Sequence, residues 1–285
     1  MVKTYLLWIK RCWTYTKSLS LCMRVFFVSC LWALAKIFWW FFEKVFKRSL
    51  EKTNKEYIFD TDFWKFLCWD FDSYLHIDED YEPEIQKAIK NLINKNKWKN
   101  EDQYLINIWC HVWFYAILLA KKYWYNVLWF EPNPRTFYYL RCNVSLSNLD
   151  DKIKLYNIWL GNENSILKFA TWIGCSSMAH IINNTQEIKQ QHNLWNIIDI
   201  NVRKFDDLWI EKSIIENTNL IIMDVEWFEL NVLKWMENTL KQLKNCWIII
   251  EIWKDSLDKE NTLNLMKSLW FTASQIDEEN RLFEK

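Results

Sequence analysis

Glycine is almost missing. The chain has two glycines in 285 residues, where ordinary usage near 7% would give roughly 20. Proline is scarce as well, with three. These shortages exclude collagen-like and Gly/Pro-rich low-complexity chains. An excess of either charge is also absent, since 36 basic residues balance 36 acidic ones. That removes the global electrostatic case for nucleic acid or an acidic partner, so no nucleic-acid partner is expected. Histidine is sparse, and His76, His180 and His192 lack ligand spacing, so a metal site is not expected. The eight cysteines contain no CxxC pair, which argues against a zinc ribbon or a thioredoxin-type site. In a chain this long they read as reduced cytosolic thiols.

Apolar and aromatic residues are plentiful. The hydrophobic fraction is 51% and the charged fraction 25%, the balance of a globular chain. Residues 1–50 stand apart as a basic and apolar extension. Lys3, Lys10, Arg11, Lys17 and Arg24 precede an apolar run from Val25 to Phe42, interrupted by Lys36 and followed by Lys44, Lys47 and Arg48. A span needs about 20 mostly apolar residues, so the run is borderline. It equally suits a basic amphipathic helix, packed or lying on a membrane surface through residues 20–48. No small-residue cleavage site follows, against a signal peptide. The expected location is cytoplasmic, with membrane association through this segment.

Residues 51–103 are polar and read as a helical and loop lead-in. The acidic cluster from Asp78 to Glu84 reads as a solvated loop and helix start, and Ile85 to Ile93 as a short helix. From Tyr104 onward, apolar runs alternate with helical stretches. Strands are expected at Tyr104–Ile108, Asn126–Phe130, Ile153–Leu160, Ile166–Ala170, Leu220–Met223, Trp247–Ile250 and Phe271–Ile276. Helices are expected at Trp113–Lys122, Pro134–Asn148, Phe228–Leu243 and Leu257–Leu269. The alternation implies an α/β domain over 104–285 with a mostly parallel sheet flanked by helices. Ligands of such sheets sit beyond the carboxyl ends of the strands. That rule selects Asn107–Trp113, Glu131–Asn133 and Asp224–Glu226. Gly174, Cys175, Ser176 and Ser177 read as a polar loop.

Tryptophan is the counterpart of the missing glycine. There are 21 tryptophans, and Trp plus Gly make about 8% of the chain, close to the usual glycine share alone. The tryptophans recur where glycine belongs. A strand-to-helix loop that lets a ligand approach the backbone needs glycine's positive φ and missing side chain. Here Trp109 and Trp113 occupy that loop, and Leu269-Trp270-Phe271 places Trp at a helix C-cap. We read most of the tryptophans as standing at glycine positions. A genetic code that reads UGA as glycine, translated here as tryptophan, would produce this pattern. Trp69, Trp209 and Trp253 are candidates for genuine tryptophan.

With that reading, three stretches resemble the FkbM family of S-adenosylmethionine-dependent methyltransferases. Asn107-Ile108-Trp109-Cys110-His111-Val112-Trp113-Phe114-Tyr115 is similar to the family's D-x-G-A-N-x-G-x-Y loop. Val127-Leu128-Trp129-Phe130-Glu131-Pro132-Asn133-Pro134 resembles V-x-A-F-E-P-x-P, with Leu140 and Asn143 following. Ile222 to Trp235 resembles K-x-D-V-E-G-x-E-x-x-V-L-x-G. Phe205-Asp206-Asp207-Leu208 is similar to L-D-D-L, and Ile250-Glu251 to a strand-end Glu. The chain departs from the pattern at Asn107, His111 and Ile222, where the family has Asp, Asn and Lys. The resemblance covers about Tyr104 to Ile276. It implies a Rossmann-like class I methyltransferase fold, S-adenosyl-L-methionine as cofactor, and O-methylation of a sugar or natural-product hydroxyl.

The residues suit that chemistry. Glu131 lies 22 positions after Trp109, where an acidic side chain accepts hydrogen bonds from ribose hydroxyls. The backbone of Trp109, Cys110, His111 and Trp113 would line the amino-acid part of the cofactor, with Asn107 as an acceptor for its ammonium and Asn133 beside Glu131. Asp224 and Glu226 are the candidate general bases for a small-molecule or glycan hydroxyl. They would share a face in a continuing strand. The same pair would also suit a helix N-terminus. A non-catalytic binding or membrane-scaffold protein with a degenerate Rossmann domain is the alternative. An NAD-dependent oxidoreductase is a further rival, since Glu131 would also suit its ribose.

Overall fold

The computed structural model describes residues 23–24, 26–27, 56–60, 65–68, 82–96, 102–109, 114–172, 175–182, 195–225 and 228–285. The described residues fall into two compact units. One takes its residues from 1–78, 138–147 and 168–199, the other from 79–137, 148–167 and 200–285. Of the basic and apolar extension, Met23, Arg24, Phe26 and Phe27 are described and helical, and the rest lies outside the described residues. Among the described residues, no helix is long and apolar enough to cross a membrane.

In the first unit, Tyr57–Asp60 (β1) pairs antiparallel with Lys65–Cys68 (β2). These strands lie within the lead-in expected to be helix and loop, whose four-residue runs are too short to show a period. Asn143, fully buried, treats β2 as a strand would: its Oδ1 accepts from Leu67 N at 2.6 Å and its Nδ2 donates to Leu67 O at 3.2 Å.

The second unit holds the sheet that matters for function. Pro83–Asn96 (α1) opens it. Proline occupies its first position, where its missing N–H costs nothing, and Ile85, Ile89, Leu92 and Ile93 bury one face. Then come Tyr104–Ile108 (β3), Phe114–Tyr123 (α2), Asn126–Phe130 (β4), Pro134–Leu146 (α3), Ile153–Tyr156 (β5) and Trp159–Leu160 (β6). The expected strand 153–160 is thus two strands, broken at Asn157-Ile158. Ser165–Trp172 (β7) pairs antiparallel with Cys175–Ile181 (β8), which belongs with the rest of 168–199 to the first unit. The loop expected at 174–177 is therefore strand from Cys175, which pairs with Trp172. Trp195–Arg203 (β9) gives its last two residues to a parallel pairing with β6. Gly161 follows β6 so closely that a Cβ there would come within 2.1 Å of Val202 Cγ1.

The chain continues with Lys212–Glu216 (α4), Thr218–Met223 (β10), Glu229–Trp235 (α5), Glu237–Gln242 (α6), Trp247–Glu251 (β11), Lys259–Ser268 (α7), Thr272–Gln275 (β12) and Asn280–Glu284 (β13). The single helix expected over 228–243 is two, separated at Met236. Asp206 causes the restart: its carboxylate accepts from Asn238 N at 3.0 Å, Thr239 N at 3.1 Å and Thr239 Oγ1 at 2.7 Å, capping α6 from outside.

The sheet order is β12-β13-β11-β10-β3-β4-β5. β11, β10, β3, β4 and β5 run parallel, and β13 pairs antiparallel with both β11 and β12. Counted from β3, the order is 3-2-1-4-5-7-6. The central strands are buried nearly throughout, as a sheet covered on both faces must be. This is the Rossmann-like class I methyltransferase architecture, a mostly parallel sheet flanked by helices. A dinucleotide-binding sheet would have the order 3-2-1-4-5-6 without the antiparallel insertion. The strand order reverses between β3 and β10, so the ligand crevice is expected at the carboxyl ends of these strands.

Candidate active site

Three strand ends converge on that crevice. Asn107 lies in β3, fully buried, and neither its Oδ1 nor its Nδ2 has a hydrogen-bond partner. Glu131 follows β4 and is 1% exposed. Its Oε1 accepts from Asn133 N at 2.7 Å, while its Oε2 is buried with no partner. Burial pushes the Glu131 carboxyl up to about 8, against a partial offset from the Asn133 N–H. A buried polar atom without a partner costs about 1–3 kcal/mol. Two such side chains at neighbouring strand ends therefore point to a ligand that would satisfy them.

The turn around Glu131 is rigidly held. Glu131 N donates to Tyr156 O at 3.0 Å, and Asn157 Nδ2 donates to the carbonyls of Glu131 at 2.8 Å and Pro132 at 3.1 Å. Asn133 caps α3, its Oδ1 accepting from Arg135 N at 3.0 Å. Asn133 thus acts on Glu131 and on the helix start. Asn157 escaped the sequence reading because its partners are 25 and 26 residues away.

Trp109 immediately follows β3 with φ 51°, and its N donates to Phe130 O at 2.9 Å. Its ring sits edge-on to Trp159 at 4.6 Å, and Trp159 meets Phe228 at 5.6 Å. Cys110, His111, Trp113 and Glu226 lie outside the described residues. Asp224 follows β10 and is half-buried, its N donating to Ile108 O at 3.3 Å. The strand stops at Met223, so Asp224 is not part of a continuing strand as the shared-face reading required. Beside it lies a recess lined by Glu82, Tyr115, Asp224, Glu251 and Asn280 over an apolar floor. Tyr115 Oη donates to Glu82 Oε2 at 3.2 Å. Burial raises the Glu251 carboxyl, and a hydrogen bond with Asp224 opposes that shift. Among the described residues no group of His, Cys, Asp and Glu side chains is placed to hold a metal ion.

The sequence model of the methyltransferase FkbM domain matches residues 96–278. The chain belongs to the FkbM methyltransferase family. It is a methyltransferase and its cofactor is S-adenosylmethionine. A curated relative, Methyltransferase 1 of Beauveria bassiana (strain ARSEF 2860), is 22% identical over 186 residues, 61% of this chain and 74% of that protein. Among solved structures, the N-terminal domain of human METTL16 in complex with SAH is 16% identical with a TM-score of 0.42, covering 70% of this chain and 69% of that one. M. jannaschii TYW2 in complex with AdoMet is 12% identical with a TM-score of 0.42, covering 81% and 87%. The acceptors left without partners here suit that cofactor. A ribose offers hydroxyl donors to an orphaned carboxylate oxygen such as Glu131 Oε2, and an ammonium offers N–H donors to Asn107 Oδ1.

Proposed function

We propose that this methyltransferase acts on a sugar or natural-product hydroxyl, with Glu131 and Asn107 holding the cofactor and Asp224 accepting the hydroxyl proton. The observation that carries this is the pair of orphaned buried side chains at the ends of β3, which lies next to the strand that delivers Asp224, and of β4 beyond it. When bound, S-adenosylmethionine supplies an electrophilic methyl group on a sulfonium. The protein then has to hold the acceptor oxygen in line, which is worth several kcal/mol, and remove its proton. Asp224 lines the recess and is available for that task. The Asn133 N–H keeps one Glu131 oxygen fixed, so the other is presented to the ribose in one orientation. The even balance of charge supports a neutral hydroxyl acceptor rather than a nucleic acid. Glu226, Cys110, His111 and Trp113 keep their assigned roles as second carboxylate and cofactor loop.

The catalytic domain is assigned to 104–285, with 51–103 leading in. Residues 20–48 serve as a membrane-surface contact, in keeping with their basic and apolar pattern. Flotation of the full chain with anionic vesicles checks this, and loss of flotation at high salt is expected.

The functional protein carries glycine at 109, 113, 129, 227 and 235. Left-handed backbone at Trp109 supports this, because a bulky residue is an outlier there. Peptide masses from the native protein showing Trp at 109 and 227 would defeat it. Calorimetric titration of S-adenosylmethionine into the chain as written and into the five-glycine version tests the whole reading. Binding by the glycine version alone is the expected result. The strain at Trp109 also favours a second reading, a non-catalytic scaffold. Two folded proteins that both ignore the cofactor would establish it.

A further inference from the structure

The recess at the ends of β10 and β11 contains Glu251, which the reaction above leaves without a role. The parallel register pairs Met223 with Ile250, and Asp224 and Glu251 are the residues that follow. Both carboxyls line the recess, close enough for each to affect the other. Two carboxyls hydrogen-bond to each other only when one of them carries a proton. The surroundings favour keeping that proton. Glu82 and Tyr115 line the recess from α1's start and from α2. Asp277 and Glu279, from the turn between β12 and β13, add negative charge near Glu251. Asn280 and Arg281 are committed to Asp277: Asn280 Nδ2 donates to both Asp277 carboxylate oxygens at 3.1 Å, and the Arg281 guanidinium donates to Asp277 O at 3.2 Å. No Lys, Arg or His is among the described residues lining the recess. Like charges placed together in a half-buried site cannot both ionise easily, so such a pair titrates as a unit.

We propose that Asp224 and Glu251 work as one base sharing a single proton, in which Glu251 is the positioning residue that takes the Asp224 proton as Asp224 accepts one from the acceptor hydroxyl. This rests on the methyltransferase reading above. The acceptor O–H bond breaks, its oxygen bonds the methyl carbon, and the electron pair of the broken S–CH3 bond stays on sulfur. The pair passes from one proton and one negative charge to two protons and none. It returns to the start by losing one proton to water. Glu251 thus holds the pair's own proton while Asp224 takes the one from the acceptor hydroxyl.

The first test needs no cofactor. In the full chain labelled with 13C at Asp and Glu carboxyls, the signals of residues 224 and 251 should each move in the same two pH steps. In Glu251→Gln, Asp224 should move in one step, with its midpoint lowered by about one unit. Asp224→Asn, read at Glu251, gives the same information if Glu251→Gln does not fold. Independent single steps in the unsubstituted chain overturn the pair. The second test uses the five-glycine chain, labelled S-adenosylmethionine, and methyl α-D-glucopyranoside as the hydroxyl probe. Glu251→Gln should lower kcat at least tenfold and shift the acid limb of its pH profile by about one unit. Cofactor Kd by calorimetry should stay within twofold. An unmoved acid limb with normal cofactor binding overturns the role of Glu251 and leaves the methyltransferase reading standing. No cofactor binding by the unsubstituted five-glycine chain removes that reading, and the base role falls with it.

Discussion

The strands of the sheet and the turns around it treat the same residue in opposite ways. Trp129 and Trp247 lie inside β4 and β11, almost fully buried, with ordinary extended backbone. Trp109, Trp124 and Trp270 lie in turns and have φ of 51°, 63° and 69°. Among the described residues, the other non-glycine positions in this region are Glu82, Asn148 and Asn245, two of them asparagines that tolerate it. Trp270 shows the reason plainly. It follows the C-cap of α7, Trp270 N donates to Lys267 O and Phe271 N to Met266 O, both at 3.0 Å. That is a Schellman motif, whose left-handed residue is usually glycine. The ring gains little there, being 84% exposed. An extended strand accepts any side chain that packs, whereas a left-handed turn selects on the backbone. Tryptophan at turns therefore reports a glycine requirement that tryptophan in strands cannot.

The largest expected effect that sharpens this contrast is on the cofactor. In the five-glycine chain, Glu131→Ala should weaken S-adenosylmethionine binding about 100-fold, since charge-assisted hydrogen bonds are worth about 1.5–3 kcal/mol each. Calorimetry measures it. The same carboxyl sets a pH dependence. Its folded value of about 8 lies above its ordinary 4.5. The folded chain therefore holds that proton more tightly than the unfolded chain. The associated stability is complete below about 4.5 and is lost as pH rises to about 8. Urea unfolding from pH 4.5 to 8 should show this decline, and Glu131→Gln should flatten it.

Next in size is the true glycine of this unit. Gly161→Ala would place a Cβ against Val202, and overpacking of this kind costs about 1–3 kcal/mol. A Tm lowered by several degrees is expected. Asp206→Ala should cost about 1–2 kcal/mol by uncapping α6, with cofactor affinity unchanged because Asp206 is committed to Asn238 and Thr239. The smallest effect has the opposite sign. Trp270→Gly should stabilise the chain by about 1 kcal/mol, and a destabilisation would break the comparison.

Much of the sheet was legible because its central strands are short apolar runs flanked by helical patterns. Asn107, Glu131 and Asp224 were legible because each ends or follows such a run. The hairpin formed by β12 and β13 was not fully legible. β13 reads Asn-Arg-Leu-Phe-Glu, too polar to announce a strand, and it exists through pairing with β11 and β12. The break at Met236 was hidden for a similar reason. The apolar positions Leu230, Leu233, Leu240 and Leu243 all face the core, but the second helix starts where a distant Asp206 caps it. What the sequence did not show of Asn133 is that its Oδ1 caps α3 and its N–H orients Glu131.

The sequence by itself determined the five parallel strands of the main sheet and the helices between most of them, the family, and the reading of glycine at the turns. These follow from side-chain periodicity and backbone sterics, which act over a few residues. Tertiary structure decided which polar atoms were left without partners at Asn107 and Glu131, that Asp224 and Glu251 line one recess, and that β13 enters the sheet antiparallel. Those depend on which strands become neighbours, and burial fixes that only when distant segments pack.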